Sequence, residues 1–121
     1  MLSITKTFNF DSAHWLTDYE GSCGQLHGHR FKLEITVTGD MVDGMVMDFG
    51  ELKEIVKPVV EQLDHKCLNH ILPFRTTAEN ILIYVVKEVS GKLPASISLK
   101  KARLWETPTS YAEWEKQHAG G

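Results

Sequence analysis

Six residues of one parity, His27, His29, Phe31, Leu33, Ile35 and Val37, alternate with Arg30, Lys32, Glu34, Thr36 and Thr38. Side chains two apart along a strand share a face, so this stretch reads as a half-buried strand with an apolar inner side. Such a strand cannot stand alone; it demands sheet partners and a covering layer. The inner face also begins with two imidazoles, which is unusual for a surface that is otherwise core.

A partner strand is visible upstream. Leu2, Ile4, Phe8, Phe10 and His14 share one parity against Ser3, Thr5, Thr7, Asn9 and Asp11, with Lys6 as the exception, and residues 2–14 are expected to pair with the first strand. "GDMVDG" reads as a turn, and "MVMDF" as a short strand or extended lead-in. Leu52, Ile55, Val56, Val59, Val60 and Leu63 then recur at helical spacing, with Asp48 as N-cap, Glu51 as its partner and a kink expected at Pro58. A second helix is expected from a Thr76–Glu79 capping box, through Leu82, Val85, Val86 and Val89, to Ser90-Gly91. "ISLKKARLWE" is the last regular element, a strand of mixed alternation. The order predicts an α+β fold, an antiparallel sheet with two helices on one face.

At 121 residues, with no repeat, linker or low-complexity tract, the chain fits one domain spanning 1–121, with only the tail "QHAGG" expected to fray. The net charge of −3 offers no basic footprint for nucleic acid. No apolar run approaches a membrane span and no secretory signal is visible, so a reduced, cytoplasmic protein is expected.

His27 and His29 project from the same face, and His14 lies near the end of the strand expected alongside. Three imidazoles can therefore converge, and three nitrogen ligands with a fourth position open is the arrangement of catalytic Zn²⁺. Ordinary polar residues at strand ends are the plainer explanation for any one of them, but not for two on one apolar face with a third in reach. Gly28 is read as allowing close backbone approach between the two ligands. Cys23 admits three roles: a fourth ligand closing a structural site, a nucleophile or base beside an open one, or a small buried hydrophobe. Its setting in "EGSCGQ" argues against the last. Cys67 is read as structural. Asp64 places a carboxylate at the negative end of a helix, a broken local rule of the kind that marks function. His65 beside it is either a helix cap or a proton-transferring imidazole oriented by that carboxylate. Glu106 shares the parity of Ala102 and Leu104, which predicts partial burial.

"FDSAHWL", "CGQLHGH", "MVMDFGELK", "LDHKCLN", "TTAENI" and "WETPTSYAEW" together resemble the 6-pyruvoyltetrahydropterin synthase superfamily over nearly the whole chain. The short spacing from Cys23 to His27 resembles its bacterial branch, which forms 6-carboxytetrahydropterin for queuosine and 7-deazapurine synthesis; eukaryotic pyruvoyl enzymes usually insert two more residues. Trp15 departs from the basic residue that relatives commonly carry there. The resemblance implies a tunnelling fold whose subunits close a barrel, typically a hexamer of two trimers. It implies His14, His27 and His29 as zinc ligands, Cys23 as general base, and Asp64 with His65 as the second proton-transfer group. Glu106 would anchor the guanidine-like edge of the pterin and join the relay, with Thr77 near the pterin contacts. The implied reaction turns 7,8-dihydroneopterin triphosphate into 6-carboxytetrahydropterin, acetaldehyde and triphosphate. Pyruvoyltetrahydropterin formation is the alternative within the family. A zinc-stabilised pterin-binding module, with Cys23 as fourth ligand, is the alternative outside catalysis.

Overall fold

In the computed structural model, which describes residues 1–117, five strands form one sheet in the order β3-β1-β2-β4-β5. The expected tail therefore lies almost wholly outside the described residues. β1 (Ser3–His14) and β2 (His27–Thr38) pair antiparallel along their full length, from Ser3 opposite Thr38 to His14 opposite His27. That register puts Phe10 opposite Phe31 and Phe8 opposite Leu33, so the two apolar stripes fall on one face. Helices α1 (Phe49–Leu63) and α3 (Ala78–Ser90) supply the rest of the core with Leu52, Val56, Leu63, Ile81, Val85 and Val89, all fully buried. Burying each side chain of this size contributes about 1.5–3 kcal/mol, which is what holds the half-apolar sheet in place.

β4 (Ser98–Thr107) lies antiparallel to β2, and a register shift lets Thr36 and Val37 face Lys101 and Leu99. The extra residue is Lys100, a bulge that switches the inward parity from Leu99 to Ala102 and Leu104. The mixed alternation of the sequence has this cause. A further strand, β5 (Ser110–Glu115), returns along β4, so "ISLKKARLWE" is not the last regular element. Its Ala112 and Trp114 are half-buried against the core while Tyr111, Glu113 and Glu115 face outward.

Two local expectations are corrected, the strand over "MVMDF" and the Thr76–Glu79 box. "MVMDF" forms no strand: Val42 and Met45 make one isolated bridge around Asp43 (φ 53°) and Gly44 (φ 77°), a tight turn whose two positive φ angles suit an Asp-Gly pair. Helix α1 caps on Asp48, whose carboxylate accepts the Gly50 N–H at 2.6 Å, and continues through Pro58 to Leu63. Pro58 lies on the exposed side, where water can satisfy the backbone carbonyl that proline leaves unpaired. Helix α3 caps on Thr77, whose hydroxyl accepts the Asn80 N–H at 3.1 Å. The Thr76–Glu79 box is thus displaced by one residue, and Thr76 is fully buried instead.

Between the long helices the chain makes two further elements. β3 (Lys66–Cys67) pairs parallel with β1 at Ser12 and Ala13, and α2 (Leu68–Ile71) adds a single turn. Together they cover the edge of β1 beside His14.

Candidate active site

The register decides the first feature of the site. His14 stands opposite His27, and His29 is two residues further along the inner face, so the three rings meet with centroids 4.6, 5.5 and 4.8 Å apart. Phe31 closes the floor, edge-on to His14 and His29 at 5.8 and 5.7 Å and stacked on Phe10 at 4.9 Å. An aromatic pair of this kind adds about 0.5–1.5 kcal/mol beyond area burial, which stiffens the platform under the imidazoles.

Glu106 joins them through a second irregularity. Trp105 pairs with Tyr111 and Thr107 with Ser110, which leaves Glu106 as an unpaired bulge residue aimed inward. Its Oε1 lies 3.1 Å from His29 Nε2 and 3.5 Å from His14 Nε2. One nitrogen from each of His14, His27 and His29 and one Glu106 oxygen all fall within 4.8 Å of one another.

These residues fit a metal ion. His14 Nδ1 donates to the Thr76 carbonyl at 2.7 Å, and His27 Nδ1 donates to the Gln25 carbonyl at 2.7 Å. A carbonyl can only accept, so both Nδ1 atoms carry a proton, and in the neutral ring each Nε2 then presents its lone pair. Among the described residues, His14 Nε2 is buried with no hydrogen-bond partner. Such an orphan costs free energy unless a cation meets it. Burial holds His29 below the ordinary imidazole range, against the opposing pull of Glu106. That favours the neutral ring a metal requires. Contact with His14, then the charge of the imidazoles around it, keeps Glu106 below the usual carboxylate range despite burial.

The second cluster forms where α1 ends. Asp64 Oδ1 accepts the Asp11 backbone N–H at 2.9 Å, and its Oδ2 holds His65 Nδ1 at 2.9 Å. The His65 N–H in turn reaches the Asp11 carbonyl at 2.7 Å. His65 adopts φ 55°, a left-handed conformation that costs a non-glycine residue about 1–2 kcal/mol. The Asp11 N–H, then the His65 side chain, hold the Asp64 carboxyl below the usual aspartate range. The helix-end carboxylate is thus compensated by contacts to β1, and the imidazole pairs with it, its Nε2 turned elsewhere. Asp11 itself is gripped by Arg30 at 3.1 and 3.2 Å.

An open cleft of about 490 Å³ runs between the clusters, lined by His29, His65, Gly28, Ser12, Lys66 and Cys67 among others. Another of about 500 Å³ flanks Glu106, Gly28, Arg30 and Trp105. A Cβ on Gly28 would meet only the Ser12 carbonyl at 3.8 Å, so close backbone approach is not its role. Its bare position instead keeps both clefts open. Cys67, expected to be structural, lines the first cleft.

Cys23 sits half-buried in a single 3-10 turn, Ser22–Gly24, and its carbonyl accepts the Leu16 N–H at 2.8 Å. The flanking glycines are steric requirements: Gly21 has φ 117°, and a Cβ on Gly24 would collide with the Tyr19 carbonyl. Among the described residues, Cys23 belongs to neither group close enough to share an ion. Thr77 is occupied as the cap of α3. Thr76 and Asn69, both bonded around His14 and Trp15, escaped sequence reasoning. Their one sequence signal is their place inside the "TTAENI" and "LDHKCLN" stretches.

A sheet carrying three inward histidines at one end, beside a carboxylate–imidazole pair, sets a candidate metal platform next to a candidate proton-transfer pair. The sequence profile of the family 6-pyruvoyl tetrahydropterin synthase matches residues 3–117, and the chain belongs to that enzyme family. It is 35% identical to the 6-carboxy-5,6,7,8-tetrahydropterin synthase of Haemophilus influenzae, covering 96% of this chain and 100% of that one. It is 43% identical to the dihydroneopterin monophosphate aldolase of Pyrococcus furiosus, over 81% of this chain and 83% of that one. The 6-pyruvoyl tetrahydropterin synthase structure from Caenorhabditis elegans superposes with a TM-score of 0.83 at 25% identity, over 96% of both chains. The tunnelling fold expected from the sequence is therefore the fold observed for the single chain.

Proposed function

We propose that this chain is a zinc-dependent 6-carboxytetrahydropterin synthase. It converts 7,8-dihydroneopterin triphosphate, with uptake of water, into 6-carboxy-5,6,7,8-tetrahydropterin, acetaldehyde and triphosphate, a step toward queuosine and other 7-deazapurines. The observation that carries the reading is the buried His14 Nε2, left without a partner at the meeting point of His27, His29 and Glu106. The relationship to the Haemophilus enzyme supports the choice of product.

His14, His27 and His29 would hold the ion, which supplies a Lewis acid for the side-chain oxygens of the substrate. Cys23 acts as the general base that takes a side-chain proton. His65, its Nδ1 held by Asp64, exchanges a second proton at Nε2 from across the cleft. Glu106 accepts the N–H groups of the pterin's guanidine-like edge, for which an acceptor-only carboxylate is the matching partner. Thr77 lies near that end of the substrate. The chain works as a cytoplasmic homo-oligomer, a hexamer of two trimers. Supporting this, the sheet ends in the two-residue β3 on one side and the outward-facing β5 on the other, edges that another copy can pair. No helix among the described residues is long and apolar enough to cross a membrane.

A second reading has its own support in the 43% identity to the Pyrococcus aldolase. Aldol cleavage also begins with removal of a proton from a side-chain hydroxyl, so the same residues serve it. Mass spectrometry after incubating zinc-loaded protein with dihydroneopterin triphosphate, and separately with the monophosphate, tests both. Carboxytetrahydropterin from the triphosphate is expected. Pyruvoyltetrahydropterin instead, or turnover of the monophosphate alone, would replace the reading by the corresponding alternative.

A further inference from the structure

We propose that Asn69 and Thr76 are positioning residues for the metal, holding His14 in the one tautomer and ring orientation that leaves Nε2 to the ion. This rests on the metal reading of the three histidines.

β3 pairs with β1 only at Ser12 and Ala13, so the strand loses its neighbour just before the ligand His14. Asn69, in the one-turn helix that follows, replaces that neighbour with its side chain. Its Oδ1 accepts the Trp15 N–H at 2.9 Å and its Nδ2 donates to the Trp15 carbonyl at 2.9 Å. The side-chain amide thereby imitates a backbone pairing, and fixes the residue directly after His14 through the peptide on each side of it. Only an amide offers a donor and an acceptor in that spacing. Aspartate there would set an oxygen against the Trp15 carbonyl.

Thr76 completes the device from the other side. Its hydroxyl lies 3.2 Å from both the Trp15 carbonyl and Asn69 Oδ1, while its own carbonyl receives His14 Nδ1 at 2.7 Å. Both Thr76 and His14 are sealed from solvent, at 0% and 1% exposure. No water can substitute for a lost bond there without opening the core. The orientation of His14 thus depends on a closed circuit through Trp15, Asn69 and Thr76, none of which is among the candidate ligands. Groups that orient a ligating imidazole in this way typically govern about 10–100-fold in metal affinity.

The test uses the full chain, freed of metal with a chelator and titrated with Zn²⁺ against a chromophoric competitor. Asn69→Asp and Asn69→Ala should bind Zn²⁺ about 10–100-fold more weakly than wild type. Thr76→Val should also lose affinity, while Thr76→Ser, which keeps the hydroxyl and the carbonyl, should retain it. The Co²⁺-loaded Asn69 variants should show shifted visible absorption bands, which a general loss of stability would not produce. Affinity within about twofold of wild type in folded Asn69 variants overturns the proposal. Nitrogen-15 NMR of the metal-free wild type keeps it falsifiable whether or not a variant folds: His14 must be the Nδ1–H tautomer, and an Nε2–H tautomer overturns it. A wild-type chain that binds Zn²⁺ no better than His27→Ala overturns the metal reading as well. Failure of the Asn69 arm alone, with Zn²⁺ still lost in His27→Ala, overturns only the positioning role.

Discussion

The carboxylate of Asp64 accepts the backbone N–H of Asp11 at 2.9 Å, tying the end of α1 to β1 just ahead of His14. The same carboxylate turns its other oxygen to His65 Nδ1, so one side chain both fastens the fold and orients the imidazole.

That double duty predicts a pH signature. Asp64 is held below its ordinary value of 3.8, chiefly by the Asp11 N–H and then by His65, so its ionised form stabilises the folded chain. The contribution is fully present above the ordinary aspartate range and is lost as pH falls through the depressed value. The amide introduced by Asp64→Asn carries no such charge at any pH. The melting temperature of Asp64→Asn should therefore lie below wild type at neutral pH, with the gap closing as pH drops below about 4. A gap that stays constant across a pH series would rule out the linkage.

Removing one imidazole leaves two ligands, too few for a tight Zn²⁺ site. His27→Ala and His29→Ala should lose stoichiometric metal, measured by elemental analysis, and turnover with it. Their circular dichroism should stay native, because both rings lie at the end of the sheet and not within the core. Glu106→Gln separates two uses of that carboxylate. Retained zinc with a raised KM is expected for a pterin anchor, whereas zinc loss would make Glu106 a fourth ligand.

If Cys23 is the base, Cys23→Ala should keep zinc and substrate binding but lose about 10²–10⁴-fold in kcat. Loss of zinc together with activity would favour the structural cysteine–histidine site. Cys67→Ala is expected to remain active although Cys67 lines the cleft beside His65. Steady-state kinetics with parallel metal analysis decides between the two thiols.

Barrel closure would place Cys23 of one chain against Asp64 and His65 of another. Inactive Cys23→Ala and His65→Ala chains, mixed under conditions that exchange subunits, should then recover part of the activity. No recovery in verified mixed oligomers would mean that each site draws both residues from one chain.

The parity of His14, His27, His29 and Glu106 was legible in the sequence because alternation is a local property of any strand with one buried face. The helix stripes around Leu52–Leu63 and Leu82–Val89 were legible for the same reason. Periodicity carries no information about which distant segment a strand end will meet. The pairing of Asp64 with Asp11 spans 53 positions, and that of Thr76 with His14 spans 62. Both required the helices to pack, and β3 to dock on β1, before those atoms could meet. The bulges at Lys100 and Glu106 and the misplaced capping box have a related cause, since several registers satisfy the same residue types and only the packed core selects among them. The sequence by itself thus determined that the three imidazoles share the apolar face of the sheet. The tertiary structure decided how each imidazole is held, because hydrogen bonds to buried carbonyls depend on chain path and not on residue type.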